Sequence, residues 1–198
     1  MNPDSDPTPP FGSLTVPVAL FVFNRPEYTR RVLEAIRVAR PTRILLIADG
    51  PRADHPGEAA QCLEVRRLLG AGIDWPCEIH RNFADTNLGC RERFASGLAW
   101  TFDQVDRAII LEDDCLPETT FFPFCQELLE RYRDEPGIGM ISGTNYRLND
   151  PSDDGSYFFA RHHSIWGWAT WRRAYSGYDA NMAAWRDSVT ADALGAVW

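Results

Sequence analysis

The chain has 198 residues, 44% hydrophobic and 12% aromatic, which is enough apolar material for one substantial core and too much for a disordered chain. Its formal charge of −8 and pI near 5.0 exclude non-specific nucleic-acid binding, which needs a basic face to neutralise phosphates. All 20 basic residues are Arg, so lysine Schiff-base chemistry and the P-loop lysine are excluded as well.

Met1 to Thr15 is rich in Pro, Asp and Ser, with no basic start and no apolar run, and reads as a flexible leader rather than a signal peptide. The longest apolar stretch, Val18 to Phe23, is far short of the roughly 20 residues that cross a bilayer. Five cysteines, odd in number, widely spaced and without a Cys-x-x-Cys pair, indicate neither a disulfide framework nor a zinc site. These features point to a cytoplasmic protein, with peripheral membrane contact left open.

From Val16 to Asp114 short β-branched runs alternate with helical periods, the signature of βαβ units and a mainly parallel sheet. The expected strands are Val16 to Phe23, Ile44 to Ala48, Glu78 to Phe83 and Ala108 to Leu111. Pro26 suits a first helical position, Tyr28, Val32, Ile36 and Ala39 share one face, and Pro41 stops the run. Further helices are expected over Glu58 to Leu69, ended by Gly70 and Gly72, and over Arg91 to Val105, where Phe94, Leu98, Thr101 and Phe102 form a stripe. Thr119 is placed to cap a helix running to Arg133, with Pro136-Gly137 as terminator and Ile138 to Ser142 as a fifth strand. Asn149 to Gly155 reads as a polar loop, and Tyr157 to Tyr175 as an aromatic segment without regular pattern.

The most informative residues are Glu112-Asp113-Asp114, three carboxyls directly after the apolar run Ala108 to Leu111. Like charges this close raise one another's pKa, so such a cluster suits a hard oxygen-liganded cation or an Arg-rich partner. Open α/β sheets bind ligands at that edge. The other strands also release polar loops there, Asn24-Arg25, Asp49-Gly50 and Asn87-Leu88-Gly89, so the loops should converge.

Taken with Phe23 to Leu33, Ala48-Asp49-Gly50, Asn87-Leu88-Gly89, Ile110 to Asp114 and Ile165 to Trp171, the chain resembles the GT-A superfamily of nucleotide-sugar glycosyltransferases over roughly Val16 to Tyr175. The likeness is to N-acetylglucosaminyltransferase I-like enzymes and bacterial relatives. It implies an α/β GT-A fold with helices on both faces of a mainly parallel sheet and a Rossmann-like N-terminal half. Residues 16–145 would bind the nucleotide sugar, and 146–198 would begin the acceptor side of one domain spanning 16–198. Asp114 then takes the place of the last acid of an Asp-x-Asp-type motif and ligates Mn²⁺ or Mg²⁺, while Asp113 and Glu112 contact the ribose and the transferred sugar. By the same likeness Asp49 reads the edge of a uracil-type base, Arg25 lies near the nucleotide, and Asn87 packs beside the nucleoside. Arg91 or Arg93 contacts the diphosphate.

Each assignment has a plainer alternative. Asp49-Gly50 is a common turn pair, Arg25 before Pro26 also suits an extended residue with a solvated side chain, and Gly89 opens a helix whose first-turn Arg residues are more often solvated. Trp166-Gly167-Trp168 suits a sugar or acceptor pocket, with Trp166 the better contact, yet tryptophans are as often core. His162 and His163 lack a third spaced ligand and read as surface residues. Inverting members of the superfamily need a carboxylate base beyond the Trp-rich segment. Asp179 and Asp187 are the nearby acids, and neither sits in a recognisable motif. Relatives continue past the position of Trp198, so the chain reads as truncated at its C-terminus.

The expected activity is metal-dependent transfer of a hexosyl or N-acetylhexosaminyl group from a UDP-sugar to a glycan, lipid-linked or protein acceptor. A nucleotide-sugar binding module without turnover is the first alternative. A sugar nucleotidyltransferase is disfavoured because Phe21 to Asn24 offers no Gly-rich loop and the chain has no lysine.

Overall fold

A computed structural model describes residues 12–146 and 155–183. Three apolar runs and, third in order, a more polar one form strands β1 (Val18–Val22), β2 (Arg43–Ala48), β3 (Glu78–Phe83) and β4 (Arg107–Glu112), joined by helices α1 (Pro26–Ala39), α2 (Glu58–Ala71) and α3 (Cys90–Gln104). Helix α4 (Phe121–Arg131), strands β5 (Met140–Ser142) and β6 (Trp168–Trp171) and the short α5 (Arg172–Tyr175) follow. The sheet order is β3-β2-β1-β4-β6-β5, with β1 to β4 parallel and β6 antiparallel to both β4 and β5. The 3-2-1-4 half is the Rossmann order, so the α/β sheet with helices on both faces expected from the sequence is present.

Alternation along β1 assigns the two faces. Val18, Leu20 and Val22 pack with α1, α2 and α4 through Val32, Ile36, Val65, Leu69, Phe122 and Leu128. Ala19 and Phe21 pack with Leu98 and Phe102 of α3, and with Trp168. A Cβ at Gly97 would come within 2.4 Å of the Phe21 ring, so α3 sits close to the sheet because this position carries no side chain. Ile109, Ile110 and Leu111 are fully buried or nearly so. Each contributes roughly 1.5–3 kcal/mol by leaving water, which fixes the strand that carries the acidic cluster.

Several elements differ from the sequence reading. The buried face of α1 is Thr29, Val32, Leu33 and Ile36, while Tyr28 turns outward and lies under the Arg25 guanidinium. Helix α4 starts at Phe121 after Thr120, and neither Thr119 nor Thr120 supplies a side-chain cap. The aromatic segment contains a strand: Trp168–Trp171 inserts between β4 and β5 with all four residues buried. Two-sided burial erased the polar alternation that marks a strand. The loop from Asn149 lies mostly outside the described residues, as does Asp187.

Candidate functional site

Register aligns the C-terminal ends of the parallel strands. Ala48 pairs with Val22 and Phe83, and Glu112 with Phe21, so the loops after all four strands leave from one rim. The strand order reverses direction between β1 and β4, the switch point where open α/β sheets place ligands.

The loops at this switch point hold Arg25, Asp113 and Asp114. Arg25 donates from Nη2 to Asp113 Oδ1 and from Nη1 to Asp114 Oδ2 at 3.0 Å. Phe23 N–H donates to Asp113 Oδ2 at 3.3 Å, which ties the end of β1 to the end of β4. The Asp113 side chain is 2% exposed, whereas those of Asp114 and Arg25 are 46% and 44% exposed. Burial pushes the Asp113 carboxyl above the usual carboxylate range, against the pull of the Arg25 charge. Burial, with repulsion from Asp114 and Asp113, raises Glu112 too. The three acids are thus crowded and only partly neutralised.

Asp49 is bound differently. Its side chain is nearly buried, and both oxygens accept from the chain itself: Oδ1 from Gly50 N–H at 2.8 Å and Leu88 N–H at 2.9 Å, Oδ2 from Asn87 Nδ2 at 3.0 Å and Gly89 N–H at 3.2 Å. Gly50 makes this possible, because a Cβ there would lie 2.5 Å from the Thr86 backbone. Arg66 Nη2 seals the junction from behind by donating to the Asp49 and Ala84 carbonyls at 3.2 and 2.5 Å.

A bridge links the two knots. Glu58, at the start of α2 and 4% exposed, accepts from Asn24 Nδ2 at 2.8 Å, from Arg52 N–H at 2.7 Å and from Arg52 Nη2 at 2.5 Å. These bonds, that from the Arg52 side chain foremost, hold its carboxyl down to about 2. The Arg52 guanidinium lies over the Phe23 ring. Sequence reasoning missed Glu58 and Arg52; an acid in a helix's first turn was visible, but its burial was not.

Trp168 pairs with Ile110, so Trp166 and Gly167 leave the sheet at the edge where Leu111 and Glu112 do. Trp166 is 72% exposed while Trp168 and Trp171 are buried, which separates one surface ring from two core rings. Arg91 is turned to the Ala180 carbonyl and Asn181 Oδ1, both at 2.8 Å. Arg93 is buried, bound to Asn82 through its carbonyl and side-chain oxygens. Asp179 accepts from Asn181 and Ala183 N–H at 2.8 and 2.7 Å, bonds that hold its carboxyl below the usual range. His162 and His163 are exposed.

Among the described residues no group of three or more His, Cys, Asp or Glu side chains is gathered for a metal. Asp113 and Asp114 nevertheless share one cation, the Arg25 guanidinium. The half-exposed Asp114 carboxylate is a hard oxygen ligand that would fit Mg²⁺ or Mn²⁺. No helix among the described residues is long and apolar enough to cross a membrane.

No protein-family model matches the chain, and no curated protein matches it in sequence. Among solved structures it is similar to a mannosyltransferase from Pyrobaculum calidifontis in complex with GDP-Man and Mn²⁺, at 15% identity and a TM-score of 0.43. The match covers 70% of this chain and 37% of that one, so the chain spans little more than a third of that protein's length.

Proposed function

We propose that the chain is a metal-dependent glycosyltransferase that takes a sugar from a nucleoside-diphosphate donor, a UDP-sugar, to a glycan, lipid-linked or protein acceptor. The observation that carries this reading is the Arg25, Asp113 and Asp114 knot at the β1/β4 switch point, where two acids and a guanidinium meet. Asp114 would hold Mn²⁺ or Mg²⁺, which when bound neutralises charge on the departing diphosphate, while the buried Asp113 holds Arg25 beside it. Arg25, half exposed and already pairing with oxyanions, exchanges part of that pairing for phosphate oxygens. Glu112 accepts hydrogen bonds from donor hydroxyls, and the exposed Trp166 ring packs on the apolar face of a sugar.

A second reading is nucleotide-sugar binding without turnover, favoured by the state of Asp179. A carboxylate already accepting two backbone N–H groups and held below its usual range is a weak general base. Calorimetry of UDP with Mn²⁺ tests the shared core of both readings. Asp114→Asn is expected to abolish the metal-dependent part of UDP affinity while the circular dichroism spectrum stays unchanged. Unaltered affinity refutes the assignment. Donor hydrolysis and transfer, assayed separately on the native chain, then separate turnover from binding alone.

A further inference from the structure

We infer that Asp49 serves the nucleotide site as a positioning residue, acting through Asn87, and that Asn87 Oδ1 is the acceptor offered to the base. The inference rests on the donor-site reading above and concerns how that site meets a base.

Every hydrogen-bonding direction of the Asp49 carboxylate is used. Four donors from Gly50, Asn87, Leu88 and Gly89 surround two oxygens that are almost out of solvent. A base N–H would have to displace either a main-chain donor, leaving it unpaired in a buried place at a cost comparable to the bond gained, or Asn87 Nδ2, which would break the contact that orients this amide. Asn87 is in the opposite situation. Its Nδ2 donates to Asp49 Oδ2 and to the Gly50 carbonyl, both at 3.0 Å, and its own N–H to the Pro51 carbonyl at 3.2 Å. The two partners of Nδ2 are pure acceptors, so the amide cannot flip without setting oxygen against oxygen. Oδ1 is thereby fixed facing away from them, and it makes no hydrogen bond among the described residues on a side chain that is part exposed.

The result is a neutral acceptor of defined direction in the loop after β3, separated by β2 from β1, whose loop carries Arg25. It suits a base edge that carries a ring N–H, as uracil does. The acid supplies orientation and the amide supplies contact.

The experiment compares binding of UDP and of its N3-methyl analogue, with Mn²⁺ present, to the native chain, Asn87→Ala and Asp49→Asn. Amide hydrogen exchange is followed at Leu88 and Gly89. Methylation is expected to weaken native binding about tenfold, the scale of one lost hydrogen bond, and to make no difference in Asn87→Ala. Asp49→Asn should weaken UDP, shrink the methyl effect and speed exchange at both amides. A methyl effect that persists in Asn87→Ala and vanishes in Asp49→Asn overturns the inference and returns base contact to Asp49, with the donor site intact. Slow exchange at Leu88 and Gly89 in Asp49→Asn overturns it too. Native chain that binds no UDP removes both this inference and the donor-site reading. Asn87→Ala, the milder change, decides the matter if Asp49→Asn proves too unstable to measure.

Discussion

Asp49 and Asp114 follow strands that flank the same central strand, β1, yet their surroundings are opposite. Asp49 is closed in by four donors of its own chain, whereas the Asp114 carboxylate accepts from two side chains, the Cys115 thiol at 3.8 Å and Arg25, a long side chain that is itself half exposed. A carboxylate saturated by fixed main-chain donors belongs to the fold, because removing it orphans those donors. One balanced by a movable guanidinium can exchange its partner for a cation or share it with phosphate. The rim thus combines a rigid side, which sets loop shape, with an exchangeable side, which meets charge.

The contrast predicts unequal stability effects at chemically similar positions. Asp49→Asn turns an amide N–H₂ toward donors, and is expected to destabilise the chain by about 3 kcal/mol, measured by urea unfolding. Loss below ~1 kcal/mol would mean that the loop holds itself and that Asp49 is available for ligand. Gly50→Ala reaches the same junction without touching charge. Its Cβ meets Thr86 backbone, which cannot swing aside as a side chain would, so a cost of about 2 kcal/mol is expected together with faster exchange at Leu88. If exchange there is unchanged, the junction of the two loops is looser than the distances imply.

The rigid side was partly legible in the sequence and the exchangeable side more so, for a physical reason. Strands β1, β2 and β4 announce themselves because burial on both faces demands continuous apolar runs, and three acids after such a run stand out against it. What an acid does once at the rim depends on partners distant in the chain. Asp49 meets Asn87 across 38 positions and Arg25 meets Asp114 across 89, separations that no local pattern encodes. The bonds of Arg91 to Ala180 and Asn181, across 89 and 90 positions, are equally absent from local pattern, and the strand Trp168–Trp171 was hidden by its burial. Glu58 was invisible as a site residue because its role comes from the return of the Arg52 loop over it.

Glu58 sharpens the comparison by pH. Its carboxyl titrates near 2 in the fold against an ordinary value of 4.5, so the unfolded chain takes up the proton first as pH falls. The stabilisation it gives is therefore complete above about pH 4.5 and is lost as pH drops from there toward 2. The melting temperature of the native chain should fall across that window, and that of Glu58→Gln should start lower at neutral pH and fall less. Parallel curves would show that the Asn24, Glu58 and Arg52 bridge does not tie the two sides together.

The smallest effect on stability is expected where the effect on ligand is largest. Asp114→Asn leaves Arg25 paired with the buried Asp113, removes one of three crowded charges and orphans no main-chain donor. Relief of repulsion offsets the lost contact to a half-exposed guanidinium, and exposed ion pairs contribute little in any case. Unfolding free energy should change by less than about 0.5 kcal/mol in urea. A loss near that of Asp49→Asn would show that Asp114 is also built into the fold, and the division between a shaping acid and an exchanging acid would fail.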